Sequence, residues 1–465
     1  MTNIIGNTEW NGLPVPLRWG AIVAVAFGVS VSVVDSVIAN VALPTLAAEF
    51  GISSANSVWI VNAYQLALIT TLLIFSNMGD IIGYRRIYIS GLVLFTAASA
   101  GCALSSTFVS LIAWRAAQGI GAAAITSVNT TLIRIIYPRH MLGRGMGINA
   151  TVVAVSSVAG PSVAAAILSV TTWHWLFAVN LPIGLVAFVL SRRFLPQNPV
   201  RVEGRRFDWR SGVMCALSFG LAMACVEGYS HSMAIHAWIV MAAVTVVVAW
   251  RFVKDQLHKT MPILPFDLLK IPIFSLSIVT SICSFTAQML AMVSLPFILQ
   301  HSMGYDAVST GLIFTAWPMV IMVVAPVAGV LAEHIHAGYL GLTGLLVMTA
   351  GLVMLGLLPA EPSDFDIIWR LVVCGMGFGL FQSPNNSIMI ASAPQHRSGS
   401  ASGMLATARL TGQTAGAALV AFFFHWHGGE TTMTPLFVAA AFAFLGALLS
   451  ASRIHLPLPE ALMRP

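Results

Sequence analysis

Fourteen runs of roughly twenty apolar residues, each closed by a short polar or Pro/Gly-bearing break, divide this chain from end to end. A hydrocarbon core about 30 Å thick is crossed by about twenty helical residues, so runs of this length read as membrane spans. They start near Ala21, Val58, Ile87, Phe108, Gly145, His174, Gly212, Ala237, Ile273, Ala307, Tyr339, Ile367, Ala401 and Met433. Composition agrees, because only 8% of the 465 residues are charged, against about 25% in a soluble domain. Too few charged side chains exist to wet the surface, which excludes a soluble globular protein and implies a lipid bilayer around the chain. The polar opening segment, Thr2 to Asn11, precedes a span that carries Asp35 and no small-residue cleavage site, so it reads as an uncleaved anchor.

The formal charge of +6 does not point to nucleic acid. Nineteen of the 22 basic residues fall on one side once the runs are threaded alternately through a membrane. Arg85, Arg86, Arg134, Arg139, Arg144, Arg192, Arg193, Arg201, Arg205, Arg206, Arg210, Arg251, Lys254, Lys259 and Lys270 follow the even-numbered spans up to the eighth, and Arg18, Arg397, Arg453 and Arg464 join them. The opposite loops hold Arg370 alone. This asymmetry predicts cytoplasmic termini and an even number of spans. The five cysteines all lie inside apolar runs without C-x-x-C spacing, and read as buried small hydrophobes instead of a disulfide or zinc framework.

The longest hydrophilic connections, Leu195 to Ser211 and Lys254 to Ile271, are too short to fold alone, so no catalytic module outside the membrane is expected. They bracket spans seven and eight. The predicted layout is a six-helix bundle over residues 1–195, two linker helices with their cytoplasmic loops over 196–271, and a second six-helix bundle over 272–465. An internal repeat supports it. Ser76 to Arg86 (S-N-M-G-D-I-I-G-Y-R-R) and Gly329 to Gly338 (G-V-L-A-E-H-I-H-A-G) each put an acid four residues after a small residue at the end of the second span of their half. Two bundles of one pattern imply a pseudo-two-fold, with a site between them at mid-membrane depth.

Several motifs resemble the major facilitator superfamily, in particular its fourteen-helix drug/proton antiporter family. V-V-D-S-V-I-A-N-V-A-L-P carries Asp35, Asn40 and Pro44 in the first span. The loop Ser76 to Arg86 keeps Asp80, Gly83, Arg85 and Arg86 but has Ser76 and Ile81 where the superfamily usually has glycine and arginine. L-I-A-W-R-A-A-Q-G-I-G keeps Arg115, Gln118, Gly119 and Gly121, and S-S-V-A-G-P-S-V-A-A keeps Gly160 and Pro161 while Ser156, Ala164 and Ala165 replace other glycines. W-H-W-L-F-A-V-N-L-P-I-G, F-D-W-R-S-G and S-G-S-A-S-G-M-L-A-T-A-R extend the likeness over nearly the whole chain. Y-R-R-I-Y, I-Y-P-R-H-M-L-G-R-G-M-G-I-N and G-F-G-L-F-Q-S-P-N-N are similar to YebQ-type transporters of bacterial inner membranes. The resemblance implies an all-α integral membrane protein of major facilitator fold with 14 transmembrane helices in a 6 + 2 + 6 arrangement, a monomer of the bacterial inner membrane that exports small molecules by alternating access.

Charged groups inside spans are costly, about 2.5–3.5 kcal/mol each at the centre, and usually functional. Asp35 lies past the middle of the first span, where desolvation favours its protonated form and a cationic ligand its charged form. Competition between proton and cargo for this one carboxylate is the minimal chemistry of an antiporter; the alternative is a structural helix-to-helix hydrogen bond. Arg115 has no acid in its own run and needs a partner across the bundle. The resemblance implies a proton-transfer role for it with the first helix, and a fixed ion pair is the other reading. Arg409 is the matching cation of the second half, open to an anionic substrate group or to a partner unseen in sequence. By resemblance, Asp80, Gly83, Arg85 and Arg86 form a conformational latch. Gly160 and Pro161 form the antiporter motif, with close packing across the bundles and a bend. Asn40, Asn62, Gln65, Gln118, Gln288, Gln382, Asn385 and Arg409 are candidates for the substrate cavity. Glu227 near His231 reads as a snorkelling interfacial acid. The pairs His334/His336 and His425/His427 lack accompanying acids or thiols and read as interfacial, so no metal site is expected.

No G-x-x-x-x-G-K-[ST] occurs and the chain has three lysines, so ATP is not the direct energy source. No cofactor is expected, and the proton gradient remains as the drive. The leading reading is a proton-coupled multidrug exporter, not an enzyme. The alternatives are a proton-coupled symporter for a small metabolite, which the Gly160-Pro161 motif weighs against, and a membrane-embedded enzyme, for which no clustered nucleophile, base or metal set stands out. By resemblance, exporters of lipophilic dications carry extra acids in the second bundle. This chain has Arg409 there instead.

Overall fold

A computed structural model describes residues 12–52, 54–57, 59–197, 207–230, 235–259, 262–305, 307–359, 361–426 and 432–456. All of its regular structure among these residues is helical. The long helices are α1 (Val15–Phe50), α2 (Trp59–Ile82), α3 (Tyr84–Ala103), α4 (Phe108–Ile136), α5 (Leu142–Val170), α6 (Asn180–Phe194), α7 (Trp209–Ser230), α8 (Ile235–Leu257), α9 (Pro272–Phe297), α10 (Ala316–Leu331), α11 (Ala337–Gly356), α12 (Asp364–Ser392), α13 (Ser398–Trp426) and α14 (Thr434–Ser452). Short helices at His174–Ala178 and Ala307–Phe314 precede α6 and α10. Eleven helices among the described residues are long and apolar enough to cross a membrane. The remaining three runs expected from the sequence coincide with α7, α12 and α13. The last two are diluted by Gly, Ser, Thr, Asn and Arg, and α13 packs against α9, α2 and α4. Small and polar residues serve helix contacts of this kind.

The chain ends each helix by local means. Thr107 accepts from the Ser110 amide at the start of α4, Asp208 from Ser211 at α7, and Ser363 from Asp366 at α12, each at 3.2 Å. Between α2 and α3 a single residue, Gly83, turns the chain with φ 118°, a backbone region that a side chain would strain.

Helices α1 to α6 pack on one another, as do α9 to α14. α8 packs on α7, and this hairpin leans on the first group where α7 lies against α2. At the hairpin's arginine-rich end, Lys259 pairs with Asp208 at 2.5 Å and Asp255 at 2.6 Å, and Gln256 donates to Ser211 at 2.7 Å. The groups are joined chiefly where α13 lies against α2 and α4 and α10 lies against α5, with α12 also touching α5 and α4. Each half thus presses its second helix onto the fifth helix of the other, as the two-fold repeat in the sequence anticipates.

Candidate functional site

Three sets of the sequence-predicted residues can be placed. The first lies inside the first half. Asp35 on α1 accepts from Arg115 Nη1 at 2.6 Å through Oδ2, and from Gln118 Nε2 at 2.8 Å and Asn180 Nδ2 at 2.7 Å through Oδ1. Arg115 and Gln118 stand three residues apart on α4 and so share a face. Gln118 also accepts from Arg115 at 2.6 Å and donates to Ser99 on α3 at 2.8 Å, while Arg115 Nε donates to the Ile60 carbonyl at 3.1 Å. The guanidinium lies 4.5 Å from the Tyr64 ring centroid and 5.7 Å from that of Phe177. Asp35 is 1% exposed and Arg115 0%. Arg115 thus finds the partner its own helix lacks.

This arrangement corrects part of the sequence reading. Asp35 is not a bare carboxylate facing a central chamber, because three donors on α4 and α6 already occupy it. Cargo cannot bind it in this state without displacing one of them. Gln118, expected on the cavity wall, is fully buried as part of the same network. A buried pair of this kind is costly to break on one side only, about 3–5 kcal/mol, since the other charge is left uncompensated.

The second set joins the halves at the arginine-rich face. Asp80, at the end of α2, accepts from the Gly399 amide at 2.9 Å, the Ser400 amide at 3.3 Å and the Ser400 hydroxyl at 2.8 Å, as well as from Tyr84 at 2.8 Å. It therefore caps α13 from the other half, where unpaired amides and the helix dipole favour an anion. Ser76 donates to the Gly399 carbonyl, Thr131 donates to Ser398 at 2.7 Å, and Arg134 donates to the Ser398 hydroxyl at 2.7 Å. On the two-fold-related side Glu333, just past α10, pairs with Arg144 of α5 at 2.8 Å. Gly143 and Gly329 touch there through their backbones, leaving no room for a Cβ on either, and Thr151 donates to the Met322 carbonyl at 3.1 Å. Of the other residues expected in the latch, Arg85 donates to the Arg192 carbonyl within the first half and Arg86 is exposed. Gly160 packs against Val37 of α1, so its contact is within its own half, and Pro161 is exposed. The close approach across halves on α5 belongs to Gly143 and Gly147 instead.

The third set is the polar lining. Arg409 on α13 has a buried Nε with no acceptor among the described residues. Asn62, Gln65, Gln288 and Gln382 are partly exposed. Asn385 is not on a cavity wall. It is buried, donates to Ser281 at 2.8 Å and accepts from Arg453, which also donates to Ser277 at 2.8 Å and to Ser450 at 2.7 Å. The side chains of Asn40, Glu227 and His425, and residues His231 and His427, lie outside the described residues. His336 accepts from the Gly338 amide at 3.0 Å and caps α11. Among the described residues no group of three or more His, Cys, Asp or Glu could hold a metal ion.

Sequence reasoning missed Asn180, although it stands in the W-H-W-L-F-A-V-N segment as a lone amide in an apolar run. It also missed Ser400 as the receiver of Asp80, and the clamp from Arg397 to Asp267 at 2.7 and 2.9 Å, which ties α13 to the segment before α9. These pairs are more than a hundred residues apart, and no spacing rule joins them.

A family model described as the Major Facilitator Superfamily matches residues 25–417. The chain belongs to the major facilitator superfamily. It is 53% identical to the uncharacterized transporter YebQ of Escherichia coli (strain K12), over 97% of this chain and 99% of that one. It is 29% identical to the riboflavin transporter RibZ of Clostridioides difficile (strain 630), with 88% of each covered. It is 27% identical to the multidrug resistance protein Stp of Mycobacterium tuberculosis (strain CDC 1551 / Oshkosh), over 86% of this chain and 74% of that one. The crystal structure of the human organic anion transporter MFSD10 (TETRAN) shares the fold, with a TM-score of 0.70 at 14% identity, covering 93% of this chain and 99% of that one. The protein is thus a multi-pass membrane transporter of the superfamily, whose members bind small-molecule substrates within the membrane, and a bacterial inner membrane is consistent with the Escherichia coli relative.

Proposed function

We propose that this superfamily member is a proton-coupled exporter of small amphiphilic compounds. It crosses the membrane fourteen times as 6 + 2 + 6 helices, with both termini in the cytoplasm, and works as a monomer by alternating access. The observation that carries this reading is the buried Asp35–Arg115 pair. A proton delivered to Asp35 cancels its charge and leaves Arg115 uncompensated in a dry interior, which destabilises the arrangement of α1, α4 and α6 that the pair holds. The proton thus acts on the helix packing, and cargo need not touch Asp35.

On the positive-inside rule the arginine-rich face is cytoplasmic. Contacts between the halves at Asp80 and Glu333 lie on that face, which supports reading this arrangement as closed toward the cytoplasm. The multidrug relative Stp favours toxic amphiphiles as cargo and efflux as the direction. The riboflavin transporter RibZ supports a second reading, movement of a small metabolite. Both are tested in proteoliposomes with an imposed pH gradient and a substrate panel. Antiport makes protons move opposite to the substrate, symport makes them move with it, and Asp35→Asn abolishes the coupled flux in either case.

A further inference from the structure

Arg409 stands on α13 beyond the packed contact with α2. From the arginine-rich face, Gly399 and Gly403 of α13 pack on Ser76 of α2 and Gly403 also on Leu73, and Leu68, Leu72 and Leu405 belong to the same buried cluster. Arg409 lies one helical turn beyond Leu405. Its Nε is buried and bare, and among the described residues no hydrogen bond or ion pair reaches the guanidinium. The residue nevertheless keeps partial exposure, so the guanidinium is not sealed from a ligand.

In the first half the deeply buried acid is already committed, since Asp35 accepts from three groups of its own half. The second half offers no replacement. Its acids, Asp306, Glu333, Glu361, Asp364, Asp366, Glu430 and Glu460, all lie at or beyond the ends of the apolar runs. A desolvated guanidinium with free donors presents a planar fork matched to carboxylate, sulfonate or phosphate oxygens. Among the described residues no acceptor supplies those oxygens.

We propose that Arg409 receives an anionic group of the transported molecule, so that the substrates are amphiphilic organic anions or zwitterions. This rests on the transport reading above and narrows its substrate class. The anion docks against α13, the helix that packs on α2, whose Tyr64 ring lies on Arg115.

The test uses two dyes of one scaffold, rhodamine 110, which carries a free carboxylate, and rhodamine 123, its methyl ester. Binding to the purified full-length protein in detergent is read by fluorescence polarisation without any gradient. The wild type binds the acid about tenfold or more tightly than the ester. Arg409→Gln removes that preference by weakening the acid alone, and Arg409→Lys restores part of it. Equal affinities in the wild type, or equal loss of both dyes in Arg409→Gln, overturn the proposal. Should Arg409→Gln fail to fold, the wild-type ratio and the lysine variant decide the matter by the same criteria. Gradient-driven transport in proteoliposomes is scored separately. Absent flux with the acid preference intact breaks the exporter reading and leaves the assignment of Arg409 standing.

Discussion

The two halves share a topology and treat their buried arginines in opposite ways. Arg115 in the first half is neutralised on the spot, with Asp35, Gln118 and the Ile60 carbonyl taking its hydrogen bonds. Arg409 in the second half has no acceptor among the described residues, and Arg453 is met only by Ser and Asn oxygens. An unpaired cation inside a membrane is expensive, so a half that keeps one needs its partner from elsewhere. On the proposed function, the first half holds a charge pair that a proton can dissolve, and the second a charge that the cargo completes. A second contrast lies at the face where the halves meet. Asp80 is buried and satisfied by amides and a hydroxyl, whereas the Arg144 side chain of the Glu333 pair is 44% exposed.

Removing the first half's acid is expected to have the largest effect. Asp35→Asn should reduce gradient-driven flux in proteoliposomes to that of empty vesicles and should lower the melting temperature, because Arg115 then carries an uncompensated buried charge, a cost of about 3–5 kcal/mol. The double variant Asp35→Asn with Arg115→Gln should melt at a higher temperature than Asp35→Asn alone. A lower melting temperature for the double variant would show that the two groups do not act as a pair. Next in size is the cap on α13. Asp80→Ala should cost about 1–2 kcal/mol and shift the population away from the closed arrangement several-fold, read as longer distances between spin labels on the ends of α2 and α13. Unchanged distances would remove Asp80 from the latch. The smallest effect belongs to the exposed side of the two-fold. Arg144→Gln or Glu333→Gln should change the same equilibrium by less than about 1 kcal/mol, and added salt should erase the difference. A Glu333 effect as large as that of Asp80 would mean that the two gates carry equal weight.

Much of the fold was legible because a bilayer imposes a length and a polarity on every crossing segment. The apolar runs from Ala21 to Met433 announce helices, and the repeated acid at Asp80 and Glu333 announces a two-fold that appears as α2 on α13 and α10 on α5. The site was legible only in its rarest members. Asp35, Arg115 and Arg409 are conspicuous because charge inside a span is costly. Gln118 and Asn385 stand out as polar amides in apolar runs, yet both are buried in hydrogen-bond networks. A neutral polar side chain can satisfy itself against a neighbouring helix or line water-filled space, and a linear sequence does not distinguish the two. Gly160 illustrates the same limit. Its smallness forecasts close packing, while the neighbour turns out to be Val37 of its own half.

The sequence by itself determined that the chain lives in lipid, which side carries the arginines, where the helices run and which three ionisable groups lie deep. Hydrophobic length and charge placement are properties of consecutive residues, and they survive without knowledge of neighbours. Tertiary structure alone decided that Asp35 is spoken for by Arg115, Gln118 and Asn180, that Asp80 caps a helix more than three hundred residues away, and that Arg409 is left bare. Electrostatic satisfaction depends on distances of about 3 Å between helices, which packing sets and sequence order does not.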